Sequence, residues 1–508
     1  MKIKYLMLCL LTSVLLTFSY PNFIEKDVNI STSFFIWFAY VPLFYILFRT
    51  GNRKHIFFYS LFSFSVFYLL SLYWLIYVKP MGIFAIFAWI GLSILYCAMI
   101  MSLCITLIKI IFDKYNMDLT IGLPISLTLA EYLREWVLTG FPLLNPAQSQ
   151  YNFRFFIQIL KYTGTYGAIF FIILINIIIT KIFLKEKIKN IFFYFIFFIL
   201  FAFILMGNFS NKAKLEPVII GILQSNNDQS AVWNLEYKNN VMQKYKKLIF
   251  NIKDKKPDLI IWPETGYPGI LNLEKDAAKK ISHLYFGSNT YHLVGSDKAV
   301  KNSSGKYDYY NAAFLITPDG RVVDDYEKYH LVPFGEYIPF HTYFPFIDKV
   351  VRRYGYVSFK HGKELKIFSF KNFKTGALIC YDSMFPEISR TYVKKGAQFL
   401  SHLSYENWYG NSCASAQIFT NIALRAIENN VWVARCVEAG ISGIINNRGE
   451  IIYTTKLFEE ISFASTIYVE KDKKLTFYTQ YGNWFIWLLF VIIILNIIFR
   501  KKNDNIDK

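Results

Sequence analysis

The sequence has few cysteines and lacks the patterns that hold metals or phosphates. Six cysteines among 508 residues are too few for a disulfide scaffold. No metal-ligand spacing, phosphate-cradling glycine loop, internal repeat or long low-complexity segment occurs along the chain. We therefore predict no cofactor and no bound metal, and we exclude a repeat architecture.

Apolar side chains, by contrast, are abundant. The sequence is 54% hydrophobic and 19% aromatic, and its mean hydropathy is +0.30. A soluble globular protein of this length is rarely so apolar, so this composition predicts a membrane protein. The net charge of +19 would suit a nucleic-acid-binding protein. Basic loops at an anionic membrane surface explain it better here, and no nucleic-acid partner is predicted.

Eight apolar segments approach the length of about 20 residues that crosses a bilayer. The first could instead be a signal peptide, because Lys2 and Lys4 precede an apolar stretch. However, residues 17–20 (Thr-Phe-Ser-Tyr) do not form a small-x-small cleavage site, which favours a retained helix. The fourth is too long for one upright span, so it tilts or extends beyond the membrane. The predicted spans cover residues 5–20, 33–48, 56–77, 81–112, 119–138, 162–184, 191–206 and 484–499.

The charges of the short loops predict the orientation of these spans. With the N-terminus in the cytoplasm, most basic loop residues fall on the cytoplasmic side. The opposite short loops hold only Lys26, Lys79, Arg154 and Lys161. The polar region 207–482 then lies outside the cytoplasm, and both termini lie inside. Because that compartment is oxidising, Cys413 and Cys436 could pair, although two free buried thiols are the preferred interpretation.

The polar region alternates short apolar runs with helical stretches. Near-continuous apolar strands that alternate with helices indicate sheets covered by helices, which is an α/β fold. The region is large enough to form one domain. Strands are predicted at residues 218–223, 258–262, 291–295 and 376–380, and helices at residues 239–252 and 274–284.

Three residues of this region could together perform acyl chemistry. One apolar run leads to Glu264, another ends at Cys380, and a polar stretch leads to Lys328. A thiol attacks a carbonyl as thiolate, a carboxylate can take its proton, and an ammonium can stabilise the developing oxyanion. Each residue alone is more often structural: a buried cysteine, a turn glutamate or a solvated lysine. The three contexts together favour a catalytic set.

The motifs around these residues resemble those of the bacterial apolipoprotein N-acyltransferase family. This family is a membrane-bound branch of the nitrilase, or carbon–nitrogen hydrolase, superfamily. The resemblance covers essentially the whole chain. It is most specific at residues 262–265 (Trp-Pro-Glu-Thr), at Lys328 with residues 330–337, and at residues 379–381 (Ile-Cys-Tyr). Residues 138–142, 149–150 and 424–426 with Glu428 also match.

The resemblance implies both the fold and the roles of the site residues. It implies a polytopic α-helical membrane domain of about eight spans and an extracytoplasmic nitrilase-like αββα sandwich. The domains would be residues 1–206, 207–482 and 483–508, the last being the final span and a cytoplasmic tail. Glu264 would be the general base, Lys328 the oxyanion-stabilising residue and Cys380 the nucleophile. Supporting or substrate-binding positions would be Glu336, Trp233, Tyr381 and Asp382.

The sequence departs from the family pattern at a few positions near the site. Asp382 stands where the family usually has glutamate, which shortens the carboxylate by one methylene. Residues 225–227 and 438–440 also differ from the usual family residues. The three catalytic positions are intact, so these departures bear on the shape of the pocket and on the choice of acceptor.

The resemblance implies a function at the bacterial inner membrane. The chain would move a fatty acyl group from a phospholipid, through a cysteine thioester, to the N-terminal amine of a diacylglyceryl-modified lipoprotein. One alternative is a membrane-tethered nitrilase-like amidase that uses water as acceptor. Another is a non-enzymatic transporter or scaffold, although the spans contain few charges beyond Glu131, Arg134 and Glu135.

Overall fold

The computed structural model describes residues 2–78, 81–115, 117–186, 214–227, 235–285, 287–339, 358–471 and 473–506. The chain forms two compact units. The helical unit comprises Met1–Lys212, Trp408–Glu428 and Thr476–Lys508. The sheet unit comprises Ala213–Asn407 and Asn429–Leu475.

The helical unit packs apolar helices through buried polar contacts. Ser13 Oγ donates to the Ser63 carbonyl at 2.8 Å, and Trp74 Nε1 donates to Gln417 Oε1 at 3.0 Å. Such bonds satisfy polar groups that are shielded from water. The helices in this part of the described chain are α1 (Ile3–Phe18), α2 (Val41–Arg49), α3 (Arg53–Ser71), α4 (Phe84–Lys114, π-helical over Gly91–Ala98), α5 (Leu119–Trp136), α6 (Arg154–Ile157), α7 (Leu160–Leu184), α11 (Ala414–Asn429), α12 (Phe477–Tyr481) and α13 (Trp484–Ile506).

Within the described residues, two helices are long and apolar enough to cross a membrane, α4 and α7. Helix α4 has 31 residues, about 46 Å at 1.5 Å per residue, so it exceeds a hydrocarbon core of about 30 Å. Three further apolar stretches are shorter: α1 (Ile3–Phe18), the stretch Ser33–Arg49 that ends with α2, and the apolar part of α13, Trp484–Phe499. The predicted span 191–206 lies outside the described residues. The count of eight spans stays a prediction.

The sheet unit contains two six-stranded sheets in its described part. The first has the order β12-β1-β2-β3-β4-β5 and the second the order β11-β10-β9-β8-β7-β6. Strands β1–β3 are parallel to one another, and so are β7–β9. The strands are β1 (Leu215–Gln224), β2 (Leu259–Ile261), β3 (Tyr291–Lys301), β4 (Tyr307–Ile316), β5 (Val322–Glu327), β6 (Ile367–Phe370), β7 (Phe373–Ile379), β8 (Phe399–Ser404), β9 (Trp432–Val437), β10 (Gly443–Ile445), β11 (Ile451–Thr454) and β12 (Ile461–Glu470).

Helices of the sheet unit pack on these sheets. Helix α8 (Leu235–Ile252) covers the first sheet with Val241, Leu248 and Ile249, and helix α9 (Ala277–His283) lies beside it. Helix α10 (Pro386–Lys394) packs on β7 of the second sheet. The four predicted strands and two predicted helices are confirmed, and so is the sandwich of sheets and helices. The strands are continuous apolar runs because both of their faces are buried.

Two strands that carry site residues were not predicted. The residues before Lys328 form β5, a strand at the edge of its sheet whose first two side chains, Val322 and Val323, are exposed. Strand β4 pairs with both β3 and β5. An edge strand needs few apolar residues, so its sequence resembles that of a loop. Cys413 and Cys436 are free and buried, which confirms the preferred interpretation.

Candidate active site

Glu264 lies just beyond the end of β2 and is held by donors from three other segments. Its Oε1 accepts from Asn311 Nδ2 at 2.6 Å and from Lys328 Nζ at 3.2 Å. Its Oε2 accepts the backbone N–H of Tyr405 at 2.8 Å. The side chain is buried. A buried carboxylate with three donors is fixed in one position, as proton transfer requires.

Lys328 lies at the end of β5 and is buried between two carboxylates. Its Nζ is 3.2 Å from Glu264 Oε1 and 2.9 Å from Glu336 Oε1. Glu336 is held in turn by Asn311 Nδ2 at 2.7 Å and by the N–H of Val332 at 2.8 Å. A buried ammonium is tolerated only where such partners compensate for lost hydration.

The charged groups of this cluster shift one another's pKa values. Burial disfavours the ammonium, but Glu264 and Glu336 outweigh it and raise the pKa of Lys328 well above its ordinary value. Burial raises the pKa of Glu264 as well; Lys328 opposes this change and Glu336 adds to it. Burial, together with the charges of Glu264 and Glu336, raises the pKa of Asp297 to about 7. The site therefore holds a persistent cation at Lys328, beside Glu264 and Asp297, whose carboxyls lose their protons less readily than ordinary acids do.

Cys380 lies where β7 ends and the chain turns into a 3-10 segment, Cys380–Met384. Its φ is +48°, a left-handed conformation that costs a side-chain-bearing residue about 1–2 kcal/mol. Part of the residue is exposed, whereas its thiol is enclosed by the site. Burial and the charge of Glu264 raise the pKa of the Cys380 thiol well above its ordinary value, although Lys328 opposes this change. At neutral pH the resting group is therefore a thiol, and its attack on a carbonyl requires a base.

Asp382 is buried and connects the turn after Cys380 to the segment around Lys328. Its carboxylate accepts the hydroxyl of Tyr326 at 2.7 Å and the backbone N–H of His330 at 2.8 Å. It also accepts the N–H of Ile379 at 3.2 Å. Burial raises the pKa of Asp382 to about 7. The shortened carboxylate thus lies within a network that orders the backbone on both sides of the site.

The structure brings together most of the residues that the sequence singled out. Glu264, Lys328 and Glu336 are in direct contact. Asp382 follows Cys380 closely in the chain, and the ring of Tyr381 packs on His330 with centroids 5.5 Å apart. Trp233 lies outside the described residues.

Two of the stretches that depart from the family pattern contact each other. Ser225 Oγ donates to Glu438 Oε1 at 2.5 Å, and the N–H of Asn227 donates to the same oxygen at 2.6 Å. The N–H of Asn226 donates to the Glu438 carbonyl at 2.9 Å. Residues 225–227 and 438–440 are therefore direct neighbours in the fold.

Sequence reasoning missed Asn311 and the backbone N–H of Tyr405. Asn311 lies within β4 and bonds to both Glu264 and Glu336. No local pattern marks it, because its partners are brought to it by sheet pairing and not by spacing along the chain. In the described part of the chain, no group of His, Cys, Asp and Glu side chains could hold a metal ion.

The fold and this cluster define a carbon–nitrogen hydrolase domain. Residues 221–474, which contain Glu264, Lys328 and Cys380, match the model of the carbon-nitrogen hydrolase family. Residues 12–178 match a second model, the apolipoprotein N-acyltransferase N-terminal domain. The nitrilase-like fold expected from the motifs is confirmed.

Two curated relatives extend the similarity over most of the chain. It is 30% identical to the apolipoprotein N-acyltransferase of Geobacter metallireducens over 405 residues, which are 77% of this chain and 76% of the relative. It is 28% identical to apolipoprotein N-acyltransferase 1 of Treponema denticola over 99% of this chain and 97% of the relative. The chain belongs to the apolipoprotein N-acyltransferase family, which confirms the family inferred from its motifs.

Proposed function

We propose that this protein transfers a fatty acyl chain from a membrane phospholipid to the N-terminal amine of a diacylglyceryl-cysteine on apolipoproteins. This would be the last step of lipoprotein maturation. The observation that best supports it is the buried cluster in which Lys328 contacts both Glu264 and Glu336. Cys380 lies close enough for Glu264 and Lys328 to perturb its pKa. Membership of the acyltransferase family supports the same activity.

In the first half-reaction, Glu264 takes the proton of the Cys380 thiol as the sulfur attacks the ester carbonyl of the phospholipid. Lys328 and backbone N–H groups stabilise the oxyanion of the tetrahedral intermediate. When this intermediate collapses, the ester C–O bond breaks and Glu264 returns the proton to the departing glycerol oxygen. The lysophospholipid leaves, and the acyl chain remains as a thioester on Cys380.

In the second half-reaction, the amine of the acceptor attacks the thioester carbonyl. Glu264 removes a proton from the nitrogen, the C–S bond breaks, and an amide forms. The thiolate then regains its proton from Glu264. Because one product leaves before the second substrate reacts, the kinetics are ping-pong. A site that excludes water protects the thioester from hydrolysis.

We place this chemistry at the bacterial inner membrane. Eight spans, both termini in the cytoplasm and an extracytoplasmic catalytic domain at residues 207–482 agree with the loop charges. The long apolar helices α4 and α7 support a membrane location. The partners are then a phospholipid donor and a diacylglyceryl-modified lipoprotein acceptor.

A trapping experiment tests the thioester. The purified protein is incubated with phospholipid vesicles in the absence of an acceptor, and the peptide that contains Cys380 is analysed by mass spectrometry. We expect that peptide to gain one acyl group, which hydroxylamine removes and which a diacylglyceryl-cysteine peptide accepts as an amide. Acyl transfer that proceeds with no acylated Cys380 would contradict the mechanism.

Two further measurements distinguish the proposed transferase from an amidase and from a transporter or scaffold. A nitrilase-like amidase would hydrolyse a small amide without lipid and would leave the acceptor peptide unmodified. A transporter or scaffold would retain full cellular function when Cys380 and Glu264 are both replaced. We expect acyl transfer to the amine and no function in the double variant.

Lys328→Met should reduce turnover about 100–1000-fold, which is the typical cost of removing one oxyanion donor. Methionine fills a similar volume but carries no charge, so Glu264 and Glu336 also lose their shared cation. Labelled acyl transfer at saturating phospholipid measures the loss.

Lys298→Met is the matched control for this variant. Lys298 also contacts two carboxylates, Asp325 at 2.5 Å and Glu327 at 2.8 Å, but its side chain is 16% exposed, against 1% for Lys328. Its replacement should leave turnover within about threefold, because partly exposed ion pairs contribute little. Equal losses of turnover in the two variants would contradict the role of Lys328 as the oxyanion-stabilising residue.

A further inference from the structure

The backbone carbonyl of Cys380 has two side-chain donors behind the candidate nucleophile. Ser383 Oγ donates to it at 2.7 Å, and His402 Nε2 lies 3.2 Å from it. Both side chains are fully buried. Ser383 comes from the turn that follows Cys380, whereas His402 comes from the neighbouring parallel strand β8. Two independent elements therefore fix the position of one carbonyl oxygen.

The protonation state of His402 follows from its other contact. Arg435 Nη1 is 3.0 Å from His402 Nδ1. A guanidinium can only donate, so Nδ1 must be the acceptor and the ring proton must be on Nε2, which faces the Cys380 carbonyl. Burial and the charge of Arg435 hold the pKa of His402 well below its ordinary value, so the ring is neutral.

Arg435 is itself held in place. It donates to Glu406 Oε1 at 2.6 Å and to the Ile441 carbonyl at 2.8 Å, and Glu406 also accepts from Ser404 Oγ at 3.1 Å. The guanidinium and the Glu406 carboxylate are both buried. A chain of charge-assisted bonds thus orients the imidazole and its Nε2–H.

The Cys380 carbonyl and the Tyr381 N–H are two ends of one planar trans peptide, so they point in opposite directions. Fixing the carbonyl therefore fixes the N–H. This peptide follows a residue in the left-handed conformation, which is unfavourable for a side chain with Cβ and which the surroundings must impose.

We propose that His402, together with Ser383, is a positioning residue that keeps the Tyr381 N–H directed at the oxyanion as a second donor beside Lys328. Without these two donors, the Cys380–Tyr381 peptide would rotate and its N–H would leave the oxyanion site. This inference rests on the proposed acyl transfer and identifies the side chains that hold the backbone amide next to the nucleophile.

The test compares two reactions of the full-length protein. One is acylation of Cys380 by phospholipid vesicles in a single turnover, which forms an oxyanion. The other is alkylation of Cys380 by iodoacetamide, a displacement at a saturated carbon that forms no oxyanion at a carbonyl. His402→Leu removes the donor, whereas His402→Gln retains an N–H donor at a similar reach.

Acylation in His402→Leu should be about 10–100-fold slower, which is less than the loss of a whole donor because the N–H remains in the protein. Ser383→Ala should also slow acylation, and His402→Gln should restore it to within about threefold of the wild type. Alkylation should be unchanged in all three variants. Ser383→Ala is a small change that keeps the test available if His402→Leu does not fold.

Ser389→Ala is the matched control, because Ser389 is buried on α10 and, among the described residues, its Oγ has no hydrogen-bond partner. It should leave both reactions unchanged. The inference is overturned if His402→Leu and Ser383→Ala acylate at the wild-type rate. It is also overturned if alkylation falls in parallel, or if His402→Gln is as slow as His402→Leu. A wild type that forms no acyl thioester would instead refute the proposed function, and this inference with it.

Discussion

Replacing Cys380 by alanine should abolish acyl transfer, with a loss in turnover of about 10⁴-fold or more. The variant has no nucleophile, so the acceptor amine must attack a phospholipid ester directly, without the thioester that makes this step easy. Transfer of a labelled acyl chain into a diacylglyceryl-cysteine peptide measures the loss. Mass spectrometry should find no acylated protein.

Cys413→Ala is the matched control for the nucleophile. Cys413 is also a free cysteine, but it is buried in the helical unit, where Gln417 Nε2 contacts its sulfur at 3.3 Å. Its replacement should keep activity within about threefold and retain the thioester on Cys380. Product formation at the normal rate by Cys380→Ala would contradict the covalent mechanism.

Glu264→Gln should reduce turnover about 1000-fold, because general-base catalysis typically contributes 10²–10⁴-fold. Burial keeps Cys380 as a thiol, so the proton must go to a base before or during attack. An amide cannot accept it. Single-turnover acylation of Cys380 should slow by the same factor as steady-state transfer, since Glu264 acts in both half-reactions.

The hydrogen bonds of Glu264 predict a second effect of this change. Both carboxylate oxygens accept: Oε1 from Asn311 and Lys328, and Oε2 from the N–H of Tyr405. A glutamine must direct its NH₂ group at one set of donors. We therefore expect a loss of about 1–3 kcal/mol in the free energy of unfolding, the usual cost of a buried group left unsatisfied.

The pH dependence of activity distinguishes the loss of the catalytic base in Glu264→Gln from the loss of stability. A base works only when it is deprotonated, so activity should fall as the pH drops through the pKa of Glu264, which burial raises. In Glu264→Gln this acid limb should disappear. Asp297 and Asp382, both with pKa values raised to about 7, remain in the variant. An acid limb of unchanged shape in the variant would therefore belong to them and would contradict the role of Glu264.

Glu274→Gln provides the control for removing a carboxylate. Glu274 accepts a hydrogen bond from the Tyr267 hydroxyl at 2.8 Å. It also pairs with Lys238, which lies on helix α8 of the same unit. It belongs to the sheet unit but contacts none of Glu264, Lys328 or Cys380 in the described structure. Its replacement should leave both turnover and the acid limb unchanged.

Sequence alone could locate the residues that end strands. Glu264 and Cys380 follow continuous apolar runs, and such runs are characteristic of strands buried on both faces. The motifs around them and around Lys328 are local in the chain, so the family could be inferred without a structure. The apolar composition likewise indicates a membrane protein without knowledge of any helix.

Tertiary structure alone decided how these residues are held. Asn311 bonds to Glu264 across 47 residues of chain and the Tyr405 N–H does so across 141, and no periodicity encodes either contact. The same holds for His402 and its approach to the Cys380 carbonyl from the adjacent strand. These residues become neighbours only because the strands pair in this order and register. The sequence therefore determined which groups could react, and the pairing of strands decided which groups orient them.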